Sequence, residues 1–229
     1  MARMTPELTP ARRYRGAEAE ERRAQRRAQL IAAAVQVYGE RGYQNATVKA
    51  VCEAAGLTER YFYESFANSE ALLLASFQTV TQRLLHTLAQ AGEAAGNDGA
   101  QRALAMLRAY FGALQREPRS ARVFLVEIRG VSKLVDGALA DSLDEFGGLL
   151  AQALLPPGRE RDPLLTAGVA GGVVHLAVRW IRHGYSPDVD VVARTALQLA
   201  LVLAHPSDPA PDPAPDLAAA TAAAPGFSP

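Results

Sequence analysis

The chain has 229 residues, of which 49% are apolar, enough to bury one large core or two modest ones. Its 24 lysines and arginines cancel 24 aspartates and glutamates, so affinity for a polyanion has to come from local charge rather than from the overall field. A single cysteine, Cys52, excludes an internal disulfide framework, and the N-terminus lacks the apolar run of a secretory leader, so the expected compartment is the reducing cytoplasm.

Between Ala11 and Arg27 seven arginines, Arg22 and Arg26 among them, stand against three glutamates. This basic arm, residues 1–20, is expected to be partly disordered. It is either a solvated leader or a phosphate contact, and charge alone does not decide. Leu30, Ile31, Ala34, Val35, Val37 and Tyr38 then recur at helical spacing, and Gly42 follows as a stop, which predicts a first helix over residues 21–41. Thr47 is a good N-cap for a two-turn helix with Val48, Val51, Cys52 and Ala55 inward and Gly56 ending it. Thr58 is expected to cap a third helix, with Leu57 and Phe62 placed as a hydrophobic staple and Phe66 continuing the buried stripe. A fourth helix begins near Asn68 or Ser69 and runs to the glycine-rich 92–99 region.

Further helices are expected at about 100–116, 119–131, 136–155, 163–183 and 187–204, separated by prolines. Alternating β-branched patterns are almost lacking, so the expected fold is all-α. Its divisions are a helix-turn-helix unit at 21–67, a helical ligand-binding and dimerisation unit at 68–204, and a disordered Pro/Ala-rich tail at 205–229. Residues 164–181 are the longest apolar candidate for a membrane span, but His175 and Arg179 interrupt them, leaving a stretch well short of the ~20 residues a span needs. No membrane partner is expected.

Two short helices joined by a turn, the second one stapled, match the geometry in which the second helix enters the major groove of double-stranded DNA. With Phe62 and Phe66 inward, Thr58, Arg60, Tyr61 and Tyr63 populate the outer face. Arg60 can pair with guanine in bidentate fashion, and Thr58 and Tyr63 offer hydroxyls to phosphates. Glu59 and Glu64 work against phosphate; either one accepts from cytosine N4 or both cap and solvate the helix.

The run from Thr47 to Leu73, TVKAVCEAAGLTERYFYESFANSEALL, resembles the signature of the tetracycline-repressor (TetR) family. The likeness extends upstream through Ile31 to Ala34, Gly39 and Gly42, about a third of the chain. The resemblance implies a homodimer with an N-terminal three-helix DNA-binding domain and a variable ligand domain whose occupancy releases DNA. Carried over residue by residue, it implies that Thr47 and Thr58 lie at phosphate-contacting positions, Tyr63 at the phosphate-binding tyrosine, and Arg60 and Tyr61 at variable base-facing positions. Ser69 departs from the lysine common there in the family, which shifts phosphate affinity toward the arginine arm and Lys49.

In the C-terminal half, Gly168, Gly171 and Gly172 share a helical stripe near His175, and the last helix, with Val192, Leu199 and Leu203, is apolar nearly all round. These two helices are the expected two-fold interface, the alternative being an internal pair in a monomer. Glu127 stands near Phe124 in an apolar setting and needs a partner, either an arginine such as Arg122 or Arg179 or a bound ligand. Val173, Leu176 and Trp180 form a stripe that is core or pocket wall. Phe124, Glu127, Val173, Leu176 and Trp180 are therefore the candidates for an unidentified small-molecule effector. No metal or cofactor is expected, since neither His175 nor His183 has a neighbour at ligand spacing. Serine-nucleophile, phosphate-loop and zinc-helix patterns do not occur, so the chain is not expected to be an enzyme. The function expected from this reading is a DNA-binding regulator, a repressor released from a pseudo-palindromic operator by a small molecule. The alternatives are a helical protein that processes a small molecule and a ligand-independent architectural DNA-binding dimer.

Overall fold

A computed structural model describes residues 10–156 and 158–204; the expected tail and residues 1–9 of the expected arm lie outside it. Among the described residues the regular elements are all helical, as the sequence predicts. The first helix, α1 (Pro10–Arg41), starts well before residue 21. Apolar periodicity begins only at Leu30 and hides the upstream part, which an Ala-, Glu- and Arg-rich composition favours through helix propensity.

The helices α2 (Val48–Ala55) and α3 (Glu59–Ser65) complete the N-terminal unit. Leu30, Ala34, Val37 and Tyr38 of α1 meet Val51, Cys52 and Phe62, all buried, so the period-3.6 stripe of α1 is the floor on which both short helices rest. Thr47 caps α2 by accepting from the Ala50 N–H at 3.1 Å, and Gly56 closes it in the left-handed region at φ 65°. Thr58 stands at the N-cap of α3 in extended conformation, but its hydroxyl makes no capping bond, contrary to the capping role expected of it. Burial of Phe62, with Leu57 partly buried beside the core, anchors α3 instead.

Asn68 accepts from the Ala71 N–H at 2.8 Å and starts α4 (Ser69–Ala94), which buries Leu72, Leu73, Phe77, Leu84 and Leu88 in the core. Behind it come α5 (Gly99–Arg116), α6 (Pro118–Arg122), α7 (Lys133–Leu154), α8 (Pro163–Arg182) and α9 (Val189–Ala200). The helix expected over 119–131 is present as α6 continued directly by a π turn. After α6 the chain widens into a π turn at Val123–Glu127 and ends beyond it at Gly130, φ 69°. The last helix is also shorter than expected, starting on an Asp188 cap and tightening into a 3-10 turn at Leu201–Ala204.

Helix α5 lies at the centre of the second unit, packed against α4, α7 and α9. Aromatic pairs tie these layers: Phe77 on Phe124 at 5.7 Å, Tyr110 on Phe146 at 5.1 Å, and Phe111 against Trp180 at 5.5 Å. By length and composition α8 is apolar enough to cross a membrane. Its Val169, Val173, Ala177 and Trp180 are buried in this core, while His175, Arg179 and Arg182 are exposed.

Candidate nucleic-acid interface

The outer face of α3 stands clear of the chain. Tyr63 is 62% exposed and the Arg60 side chain 83%, because burial of Phe62 and Phe66 on one side of a seven-residue helix forces the intervening positions outward. Tyr61 is partly covered: the Arg26 guanidinium of α1 lies 4.5 Å from its ring centroid, a cation–π pair joining two of the expected DNA contacts. Arg27, the last arginine of the basic run, makes the same contact with Phe66 at 4.8 Å.

The cations on this face are held by their own helices. Arg60 Nε donates to Glu64 at 3.0 Å, Lys49 lies 3.9 Å from Glu53, and Arg22 lies 3.6 Å from Glu18, each one helical turn apart. Exposed pairs of this kind contribute less than ~1 kcal/mol, so a phosphate or a base edge can displace the carboxylate. Glu64 is thus a partner of Arg60 within α3. Thr47 is exposed but spends its hydroxyl on the Ala50 N–H, whereas the Thr58 hydroxyl is uncommitted; Ser69 is half-buried at the first position of α4. The result is a face of hydroxyl, guanidinium and ammonium groups on two short helices beside the basic flank of α1.

A family model for bacterial regulatory proteins of the tetR family matches residues 30–76, the stretch that builds this face. Residues 30–76 are thus similar to the DNA-binding region of that family. Among similar proteins, the transcriptional activator FasR of Mycolicibacterium smegmatis is 23% identical over 189 residues, covering 78% of this chain and 82% of its own. FadR from Bacillus subtilis, solved in complex with stearoyl-CoA, shares the fold with a TM-score of 0.66 at 19% identity, covering 78% of this chain and 99% of that one. The fatty acid degradation regulator FadR from Bacillus halodurans does so with a TM-score of 0.66 at 23% identity, covering 77% and 94%.

The five expected effector contacts do not converge on one cavity. Phe124 is locked against Phe77 beside a hollow of only about 60 Å³, Val173 is fully buried in the core, and Leu176 and Trp180 line a separate hollow of about 260 Å³ between α8 and α9. The Trp180 indole donates to the Pro187 carbonyl, which satisfies it internally. Glu127 has the arginine partner that the sequence offered: Arg122 Nε donates to it at 2.8 Å. Its second oxygen accepts from the Tyr43 N–H at 2.7 Å, while Arg122 reaches the Gly39 and Glu40 carbonyls at the end of α1. Arg119 adds an ion pair with Glu40 at 2.7 Å. A Cβ on Gly39 would lie 2.5 Å from the Arg119 Cβ, so glycine is what lets α6 approach α1.

Sequence reasoning missed this junction because its residues come from positions ~80 apart in the chain; the isolated Gly39 inside a strong helix pattern was the available signal. Above the junction opens a cavity of about 670 Å³, with Arg119, Arg122, Leu125, Val178, Ile181 and Arg182 in its walls.

The residues expected at a two-fold interface divide into two sets. Gly168 and His175 are exposed, Gly171 is half-buried, and a Cβ on Gly168 or Gly171 would meet nothing. Val192 and Leu203 instead face the interior of the chain, and Gly172 receives Leu199, whose Cδ2 lies 2.6 Å from where a Cβ would stand. Val192 and Leu203 are thus contacts within the chain, since α9 turns its apolar stripe onto α5 and α8, while Gly172 and Leu199 are half-buried.

Proposed function

We propose that the chain is a ligand-responsive transcription regulator that binds a pseudo-palindromic operator as a homodimer and is released from it by a small molecule. The observation that carries the DNA-binding part is the outward face of α3, where Thr58, Arg60 and Tyr63 are free of the core beside Arg22 and Arg26. The roles follow from chemistry: Arg60 reads a guanine edge, Thr47, Thr58, Tyr63 and Ser69 hydrogen-bond phosphates, and Lys49, Arg22 and Arg26 supply counter-charge. Tyr61 contacts bases from its position under Arg26.

Dimerisation is supported by the open face of α8. Gly168 and Gly171 each cost about 1 kcal/mol of helix propensity, and no crowding within the chain calls for either. Beside them Leu164 is 85% exposed and Val202 of the terminal turn 43%, apolar groups that a second copy would cover. Two copies present two α3 helices to successive major grooves, ~34 Å apart on one face of the duplex.

For the effector we favour the acyl thioester class, supported by the stearoyl-CoA in complex with FadR of Bacillus subtilis and by the apolar character of the helical unit. The relative named as an activator, FasR, favours a second reading in which the effector strengthens operator binding instead of ending it. Selection of bound fragments from random DNA by the full chain, repeated with and without an acyl-CoA, separates these readings. An enriched inverted repeat lost with the ligand supports the repressor, and one gained with it supports the activator. No enriched sequence in either arm would overturn the regulator reading.

A further inference from the structure

The inward stripe of α1 does not stop where the core stops. Leu30 and Ile31 are buried, and one turn earlier the same two faces of the helix carry Arg26 and Arg27. There α1 overhangs α3, and each guanidinium lies over a ring: Arg26 at 4.5 Å from the Tyr61 centroid and Arg27 at 4.8 Å from that of Phe66. Long aliphatic stems follow the apolar edge while their charged heads stay at the water boundary, so arginine prolongs a stripe that apolar residues form further along.

Helix α3 has few other tethers. It is seven residues long, Thr58 makes no capping bond, and Phe62 is the one buried residue within it. The Tyr61 ring is half-buried, and its hydroxyl has no partner among the described residues. What fixes that ring is the guanidinium over it.

Arg26 also differs from its neighbours in how it is held. Arg60, Lys49 and Arg22 are each offset by a carboxylate one turn away, which an arriving phosphate has to displace. Among the described residues Arg26 makes no ion pair. An aromatic face orients a guanidinium without neutralising it, and a guanidinium set over a ring by its central carbon still has N–H donors around its rim. One side chain therefore has the means to hold a ring and a phosphate together.

We propose that Arg26 is a positioning residue for base recognition: its N–H rim binds a backbone phosphate while the guanidinium pins the Tyr61 ring against a thymine methyl in the major groove. The inference rests on the reading of α3 as the DNA-reading helix. It goes beyond counter-charge, because a phosphate contact by itself carries no sequence information. Thymine follows from the chemistry of the ring, since its C5 methyl is the apolar group that the major groove presents. Part of the sequence preference is then decided on α1, outside the reading helix. Arg27 provides the internal control, because its ring, Phe66, is buried and reaches no base.

The test is a double-mutant cycle in the full chain. Random DNA is selected with the parent protein. Binding of the enriched site and of its single-base replacements is then titrated at several salt concentrations for the parent, R26Q, Y61A, R26Q/Y61A and R27Q. Circular dichroism melts check that each variant folds. We expect Y61A to lose a preference of roughly tenfold for one thymine in each half-site, and R26Q to lose most of it at the same position. Deoxyuridine in place of that thymine removes only the methyl, and should weaken the parent severalfold while leaving Y61A unmoved. In the Y61A background R26Q should lower the salt slope by about 1 with no further change in preference, and R27Q should keep the parent's preference.

If R26Q weakens binding equally for every base at every position, Arg26 is a counter-charge only and the proposal falls. A preference lost in R26Q yet kept in Y61A would overturn it as well, by showing that the guanidinium reads a base itself. Should Y61A fail to fold, the parent and R26Q on thymine and deoxyuridine sites still decide, because an equal methyl effect in both removes the positioning role. Absence of any enriched site with the parent would overturn the reading of α3 itself, and the proposal with it.

Discussion

The reading face of α3 and the junction between α1 and α6 use the same arginine–glutamate chemistry to opposite ends. On the reading face Arg60, Lys49 and Arg22 pair with carboxylates one turn away on their own helices, with the cations largely in water. At the junction Arg119 and Arg122 cross between elements, and Glu127, only 10% exposed, is saturated by a guanidinium and a backbone N–H. The first arrangement is weak and exchangeable, which suits groups that must change partner when DNA arrives. The second is fixed at Glu127, because removing Arg122 strands a desolvated carboxylate.

Four experiments bear on that contrast. The largest effect is expected from Glu127→Ala, which orphans Arg122 and the Tyr43 N–H together. Urea denaturation should show a loss of roughly 3 kcal/mol, the low end for a broken buried pair because Arg122 keeps some water. Glu127→Gln, which retains an acceptor for Tyr43, should recover part of it; a loss below ~0.5 kcal/mol in both would mean that the junction is no firmer than the surface.

On the other side of the comparison, Arg60→Ala should cost roughly 1–3 kcal/mol of specific operator binding, while Lys49→Ala should lower the salt slope by about 1 with specificity intact. Gel-shift titrations at several salt concentrations check both, and two unchanged variants would remove these assignments. Glu64→Gln should tighten DNA binding by ~0.5 kcal/mol, since it frees Arg60 and removes a carboxylate from the phosphate-facing side. Weaker binding with altered preference at a cytosine would show instead that Glu64 reads a base.

The smallest effect concerns Cys52. Burial raises its thiol pKa, with the Glu59 carboxylate adding to the rise. A thiol whose folded pKa exceeds its unfolded one favours the fold below the ordinary value of 9.0, and that contribution is lost as pH rises through the folded pKa. Iodoacetamide at pH 8 should therefore label the native chain far more slowly than the urea-unfolded chain; equal rates would contradict the burial.

The amino-acid sequence by itself determined what depends on neighbours along the chain. Helical periodicity marks the stripe from Leu30 to Tyr38, the Thr47 cap and the Gly56 stop frame α2, and the spacing of Phe62 and Phe66 puts Arg60 and Tyr63 outside. Glu127's need of a partner was legible, because an apolar setting demands one, and Arg122 was one of the candidates. What only the tertiary structure decided is which surfaces meet. Apolar stripes on α8 and α9 are equally suited to a partner copy or to α5, so Val192 and Leu203 turned out to be internal. The junction cavity draws on α1, α6, the π turn and α8 at once, and no local pattern encodes such a convergence, since burial energy depends on area removed from water and not on position in the chain.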